Sequence, residues 1–144
     1  MNTHNEIFLT PKDYAILEHM LEDFVGKNER LVSAIRRKLN TATVVFAQDL
    51  PADVVTIGSR VSFQISGNPV DERVLVSALR YKANGLNLSL GSLEGVELLG
   101  LREGARVEVD LEGQIESLNV LKLVFQPEAS GGARIVAGSP LVSA

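Results

Sequence analysis

The sequence has no cysteine and only two histidines, His4 and His19. Without thiols there is no disulfide, no thiolate zinc site and no cysteine nucleophile, and two histidines make a histidine-rich metal centre unexpected. A cysteine-free chain also suits a reducing cytosol. No apolar run approaches the ~20 residues that cross a bilayer. The opening residues, Met1 to Glu6, are polar and lack the charged-then-apolar pattern of a secretory signal. Basic residues are outnumbered by acidic ones, 14 to 18, for a net charge of −4. That balance argues against broad nucleic-acid binding, which needs a basic face. The expectation is a cytoplasmic protein with no membrane segment, no metal or other cofactor, and no direct sequence-specific contact with nucleic acid.

What is present is enough for one ordinary domain, or a small domain with an appendage: 144 residues, 45% of them apolar. Ile7 to Leu9 is a short extended lead-in. Thr10-Pro11-Lys12-Asp13 then reads as a helix start, with a capping hydroxyl, proline at the first helical position and an acid in the first turn. Tyr14, Leu17, Leu21 and Phe24 form one apolar stripe, and Gly26 ends the helix. Asn28 caps a second helix, in which Leu31, Ala34, Ile35 and Leu39 supply the facing stripe. The pair reads as an antiparallel helical hairpin. At roughly 14 residues per helix and ~1.5 Å per residue, it extends about 20 Å. The segment up to Gln48 is neutral overall, and its charges read as a solvated face with some pairing between the helices.

The β-branched run Thr41 to Ala47 leaves the second helix, and a proline-stopped linker at 48–53 suggests a domain boundary. Val54 to Ile57, Arg60 to Ile65 and Arg73 to Tyr81 read as strands. Asn84-Gly85 is a hairpin-type turn dipeptide. Leu86, Leu88 and Leu90 alternate as a strand. Ser92 is a helix N-cap with Glu94 in the first turn. Val96 and Leu99 share a buried face, and Gly100 supplies the left-handed stop. Val107 and Val109 resume the alternation, Glu112-Gly113 turns the chain, and Ile115 to Phe125 is a long final strand. This divides the chain into a hairpin at 1–48, a sheet domain at 49–129 and a small-residue tail at 130–144, loose or packed only through Ile135 and Val136. The fold class is α+β: a short N-terminal helical hairpin of coiled-coil type, then an antiparallel twisted sheet with one short helix. A short helix set between two strands leaves the loop Gly91, Ser92, Leu93, Glu94 on display, and that loop is the candidate partner site.

Four motifs in order carry a family likeness: Pro51-Ala52-Asp53-Val54-Val55-Thr56, Gly58-Ser59-Arg60-Val61-Ser62-Phe63, Leu98-Leu99-Gly100-Leu101-Arg102-Glu103-Gly104, and Leu118 to Ala129. Over about Thr10 to Ser130 the chain resembles the Gre-factor family of bacterial transcription factors, with most likeness to its branch of regulators of nucleoside diphosphate kinase. The resemblance implies that the sheet domain is FKBP-like and docks at the rim of the secondary channel of bacterial RNA polymerase, with the hairpin pointing into that channel. In the cleavage-stimulating members a longer hairpin carries acids at its tip that help hold the catalytic magnesium, chemistry that carboxylate oxygens suit. The acids at the tip here are Glu22, Asp23 and Glu29. The hairpin is roughly half the length of theirs, and Ser92-Leu93 stands where the family's polymerase-contacting loop usually has Ser-Pro.

The resulting expectation is a non-catalytic regulator that binds polymerase through Gly91, Ser92, Leu93 and Glu94, while the hairpin obstructs the channel or competes with longer factors. Three alternatives stand beside it: a cleavage stimulator acting through the tip acids, a regulator of a metabolic kinase, and a prolyl isomerase. The last rests on fold alone; the sequence has no tryptophan and 5% aromatics for the apolar pocket such catalysis needs. Bland readings compete at each site. The loop can serve only to cap its helix, and acids at a helix end are common on any surface. Surplus apolar area on the hairpin could also pair two chains.

Overall fold

The structure, a computed structural model, describes residues 6–129; the expectation for the tail lies outside them. The elements run β1 (Phe8–Leu9), α1 (Pro11–Phe24), α2 (Glu29–Thr41), β2 (Thr43–Val44), β3 (Arg60–Ile65), β4 (Asp71–Val76), β5 (Asn87–Ser89), α3 (Leu93–Leu98), β6 (Arg106–Leu111) and β7 (Gln114–Phe125). It is a mixed α+β fold with few helices and an antiparallel-rich sheet. The helices begin where capping chemistry places them. Thr10 Oγ1 accepts from Asp13 N at 3.1 Å, and Asn28 Oδ1 accepts from Leu31 N at 3.1 Å. Each bond satisfies one backbone donor that the first helical turn leaves over.

The main sheet has the order β5-β4-β3-β7-β6. Val61 and Phe63 on β3, Leu75 on β4, Val109 on β6, and Leu118 and Val120 on β7 are buried. Alternation along each strand turns these residues to one face. The β6–β7 turn is the two-residue kind read from Glu112-Gly113: Leu111 pairs with Gln114, and both turn residues have positive φ, 55° and 92°.

Four details differ from the sequence reading. Val54 to Ile57 is extended and largely buried but is not a strand of the sheet. It makes one isolated bridge, Val54 to Arg102, and Val55 exchanges backbone hydrogen bonds with Gly100 and Leu101. The strand predicted from Arg73 to Tyr81 ends at Val76, and Ala78–Arg80 is a 3₁₀ turn. Asn84-Gly85 does not close a hairpin. It lies on a crossover, and β4 pairs parallel with β5, so the sheet is not purely antiparallel. Finally, the lead-in β1 pairs parallel with β2, Phe8 opposite Thr43 and Leu9 opposite Val44, which joins the residues before α1 to those after α2.

The two helices share the sheet's core. Leu17, Met20, Leu31, Ala34 and Ile35 belong to the same buried cluster as Val61, Phe63, Leu98, Leu99 and Leu118. The helix pair is also held by polar bonds near both ends of α2, from Arg30 to Asp110 on β6 and from Lys38 to the end of α3. The pair is therefore packed on the rest of the fold, while the turn between its helices, residues 25–28, is exposed. Leu31 and Ile35 are apolar on the side of α2 away from solvent, and burying them in the common core outweighs leaving the pair exposed.

Candidate functional site

The loop Gly91 to Glu94 is fixed by short polar side chains. Ser89 Oγ accepts from Gly91 N at 2.9 Å, and Ser92 Oγ donates to Ser89 O at 2.7 Å. Ser92 Oγ also accepts from Gly95 N at 3.0 Å, so the predicted N-cap forms. Glu94 falls in the first turn of α3, and Gly100 takes the left-handed stop at φ 88°. Gly95 is a residue the sequence reading passed over. A Cβ there would sit 2.1 Å from Ser89 O, so only glycine lets α3 lie this close to the end of β5.

All four loop residues are half-buried rather than fully displayed. Asn28 and Arg30 from the start of α2, and Leu111 and Glu112 from the β6–β7 turn, line a cleft of ≈ 430 Å³ with them. The fold thus brings the turn of the helix pair beside the loop, a meeting between residues more than sixty positions apart.

The acids proposed for the tip are not gathered. Glu22 and Asp23 are exposed at the end of α1, where Glu22 lies 3.9 Å from His19 on its own helix. Glu29 instead lines a larger cleft, ≈ 690 Å³, between α2 and the α3–β6–β7 surface. Among the described residues no three acids or histidines converge on a point where a metal ion could sit.

The charges on α2 do other work than face solvent. Arg30 donates to Asp110 at 2.8 Å, and Arg37 donates to Glu97 at 2.7 Å. Lys38 is fully buried, with Nζ donating to Glu97 O at 2.8 Å and to Leu99 O. These are carbonyls at the end of α3, so a lysine on one helix caps the C-terminus of another. Burial pushes the Lys38 ammonium down to about 7, against the pull of the Glu97 carboxylate, with Arg37 adding to the fall. The sequence did hold a signal: Lys38 lies three and seven positions after Ile35 and Leu31, on the apolar stripe itself.

The four motifs that carry the family likeness meet at one place and satisfy each other. The Arg102 guanidinium pairs with Asp53 at 3.0 Å. Gln126 Nε2 donates to Pro51 O at 2.9 Å and to Val54 O at 2.8 Å. Pro127 lies against Gly58, where a Cβ would meet its Cγ at 3.0 Å. These residues knit the base of the sheet, so the likeness they carry is one of scaffold.

No family model matches the chain. Among curated proteins it is similar to the "Regulator of nucleoside diphosphate kinase" of Escherichia coli (strain K12), 32% identical over 127 residues, covering 87% of this chain and 93% of that protein. The protein of the same name from Shigella flexneri matches with the same identity and coverage. Among solved structures it is similar to a prokaryotic transcription elongation factor GreA/GreB from Nitrosomonas europaea, with a TM-score of 0.66 and 24% identity over 83% of this chain and 100% of that one. At that identity the likeness is one of fold.

Proposed function

The chain belongs to the family of the regulator of nucleoside diphosphate kinase, and from that premise we propose that it is a non-catalytic regulator of bacterial transcription. In this reading it docks at the rim of the secondary channel of RNA polymerase through Gly91, Ser92, Leu93 and Glu94. The sheet unit is taken as FKBP-like, and the helix pair as a short coiled-coil hairpin. The observation that carries the reading is the pinned loop: Ser89 and Ser92 fix its backbone, and pre-ordering of this kind lowers the entropy cost of binding. The likeness in fold to GreA/GreB supports it. Helices of 14 and 13 residues reach only about 20 Å. At that reach they favour obstruction at the channel entrance, or competition with longer factors, over delivery of carboxylates to a buried metal. The dispersal of Glu22, Asp23 and Glu29 weighs the same way.

Glu94 is the position to test, because Ser92 caps α3 and Leu93 packs on the core. Glu94→Arg is expected to weaken capture of bacterial core RNA polymerase at least tenfold, with a thermal midpoint near that of the parent. Parent-like capture would remove the rim-docking reading. The relatives' name favours a second reading, control of a nucleoside diphosphate kinase. Using that kinase as bait in parallel separates the two, since only one bait should retain the chain.

A further inference from the structure

Away from that loop, at the start of α1, two carboxyl groups bond to one turn. Asp13 lies in the first turn of α1 and is buried, with a relative exposure of 2%. Its Oδ2 accepts from Ile57 N at 3.4 Å, a long bond. Glu128, from the segment after β7, accepts from Thr56 Oγ1 at 2.8 Å. Thr56 and Ile57 are consecutive, so the two donors lie on one short piece of chain and the carboxyls that take them flank the same turn. The donors are unequal. Ser59 Oγ lies 2.9 Å from Thr56 Oγ1 and accepts from Thr56 N at 2.9 Å. A hydroxyl chain thus runs from Ser59 through Thr56 and ends on Glu128. Asp13 has one long backbone donor and a buried site, which favour its neutral form.

We propose that the buried Asp13 carboxyl, bonded to the same turn as Glu128, is a proton-holding fastener between the start of α1 and the 56–59 turn, so that acidification tightens the hold of the helix pair on the rest of the fold. Lys12 on the same helix and Glu128 across the turn are the charged groups acting on Asp13. Burial pushes the Asp13 carboxyl up to about 6, opposed by the Ile57 N–H and reinforced by Glu128. The sign follows from linkage. A carboxyl whose pKa is higher folded than unfolded keeps its proton in the folded chain over a range where the unfolded chain has lost it, so the stability that Asp13 contributes falls as pH rises from about 4 to 6 and is gone above. The device needs no partner and stands apart from the polymerase reading.

The test is a carboxyl ¹³C NMR titration of the whole chain, with urea unfolding from pH 4 to 8, for the parent, Asp13→Asn and Glu128→Gln. Asp13 should titrate near 6 in the parent, and its midpoint should fall in Glu128→Gln, which removes the neighbouring charge. The folding constant of the parent should drop by up to about a hundredfold between pH 4 and 7, roughly tenfold per unit of raised pKa. Asp13→Asn should flatten that drop while keeping an acceptor for Ile57 N. A parent Asp13 that titrates near 4, or a midpoint untouched by Glu128→Gln, overturns the proposal; should Asp13→Asn not fold, those two titrations still decide it.

Discussion

Lys38 and Gly95 carry more of the structure than their residue types suggest. Lys38→Ala leaves the carbonyls of Glu97 and Leu99 without their donor and opens a void in the seam between α2 and α3. The expected cost is about 2–4 kcal/mol in urea unfolding at pH 7. The lysine also imposes a pH slope of its own. Its pKa is lower folded than unfolded, so the unfolded chain binds more protons above about 7, and stability rises with pH from there towards 10. Lys38→Met should remove that rise, which unfolding curves at pH 7.5 and 9.5 will show. Gly95→Ala drives a Cβ into Ser89 O. It should lower stability by about 1–3 kcal/mol and disturb the loop Gly91 to Glu94 without touching its side chains. The spacing from Leu31 and Ile35 made Lys38 readable as an inward position. The need for glycine at 95 was not readable, because the atom it avoids belongs to β5 and comes close only in the folded chain.

At the level of elements, caps and turns followed the sequence closely while partners did not. Thr10, Asn28 and Ser92 each cap the helix they precede, and Glu112-Gly113 closes β6 on β7. These are contacts between near neighbours, and local chemistry decides them. Asn84-Gly85 has the same turn chemistry, yet β5 runs parallel to β4. The difference is made by β5 passing straight into α3, which must reach the core with Val96 and Leu98 buried. The bond from Arg30 to Asp110, which joins α2 to β6, is exposed at both ends. Arg30→Met should cost less than about 1 kcal/mol at low salt, and nothing measurable in 1 M salt. Melts of parent and variant at the two ionic strengths will show whether the loss is screened.

For the whole molecule the decisive fact is that one core spans the helix pair and the sheet. The proline linker at 48–53 divides the sequence into 1–48 and 49–129, but Leu17, Leu31 and Ile35 pack in the same cluster as Val61, Phe63 and Leu118. Loss of the first segment would expose much of that cluster, so the two should unfold together. Urea unfolding followed by far-ultraviolet circular dichroism and by the fluorescence of Tyr14 and Tyr81 should give coincident midpoints. Separated midpoints would mean that the helix pair is an independent unit.

The sequence by itself determined where helices start and stop, which strand positions face inward, and a scaffold whose four motifs were enough for a resemblance. Each of these depends on backbone chemistry and side-chain period within a few residues. Only the tertiary structure decided that the helix pair shares the sheet's core, that β4 and β5 are parallel, and that the start of α2 borders the loop after β5. It also decided that Asp13 and Glu128 flank one turn. Those outcomes depend on which apolar faces find each other and on what desolvation then demands of the polar groups caught between them, and neither is a property of any short stretch of chain.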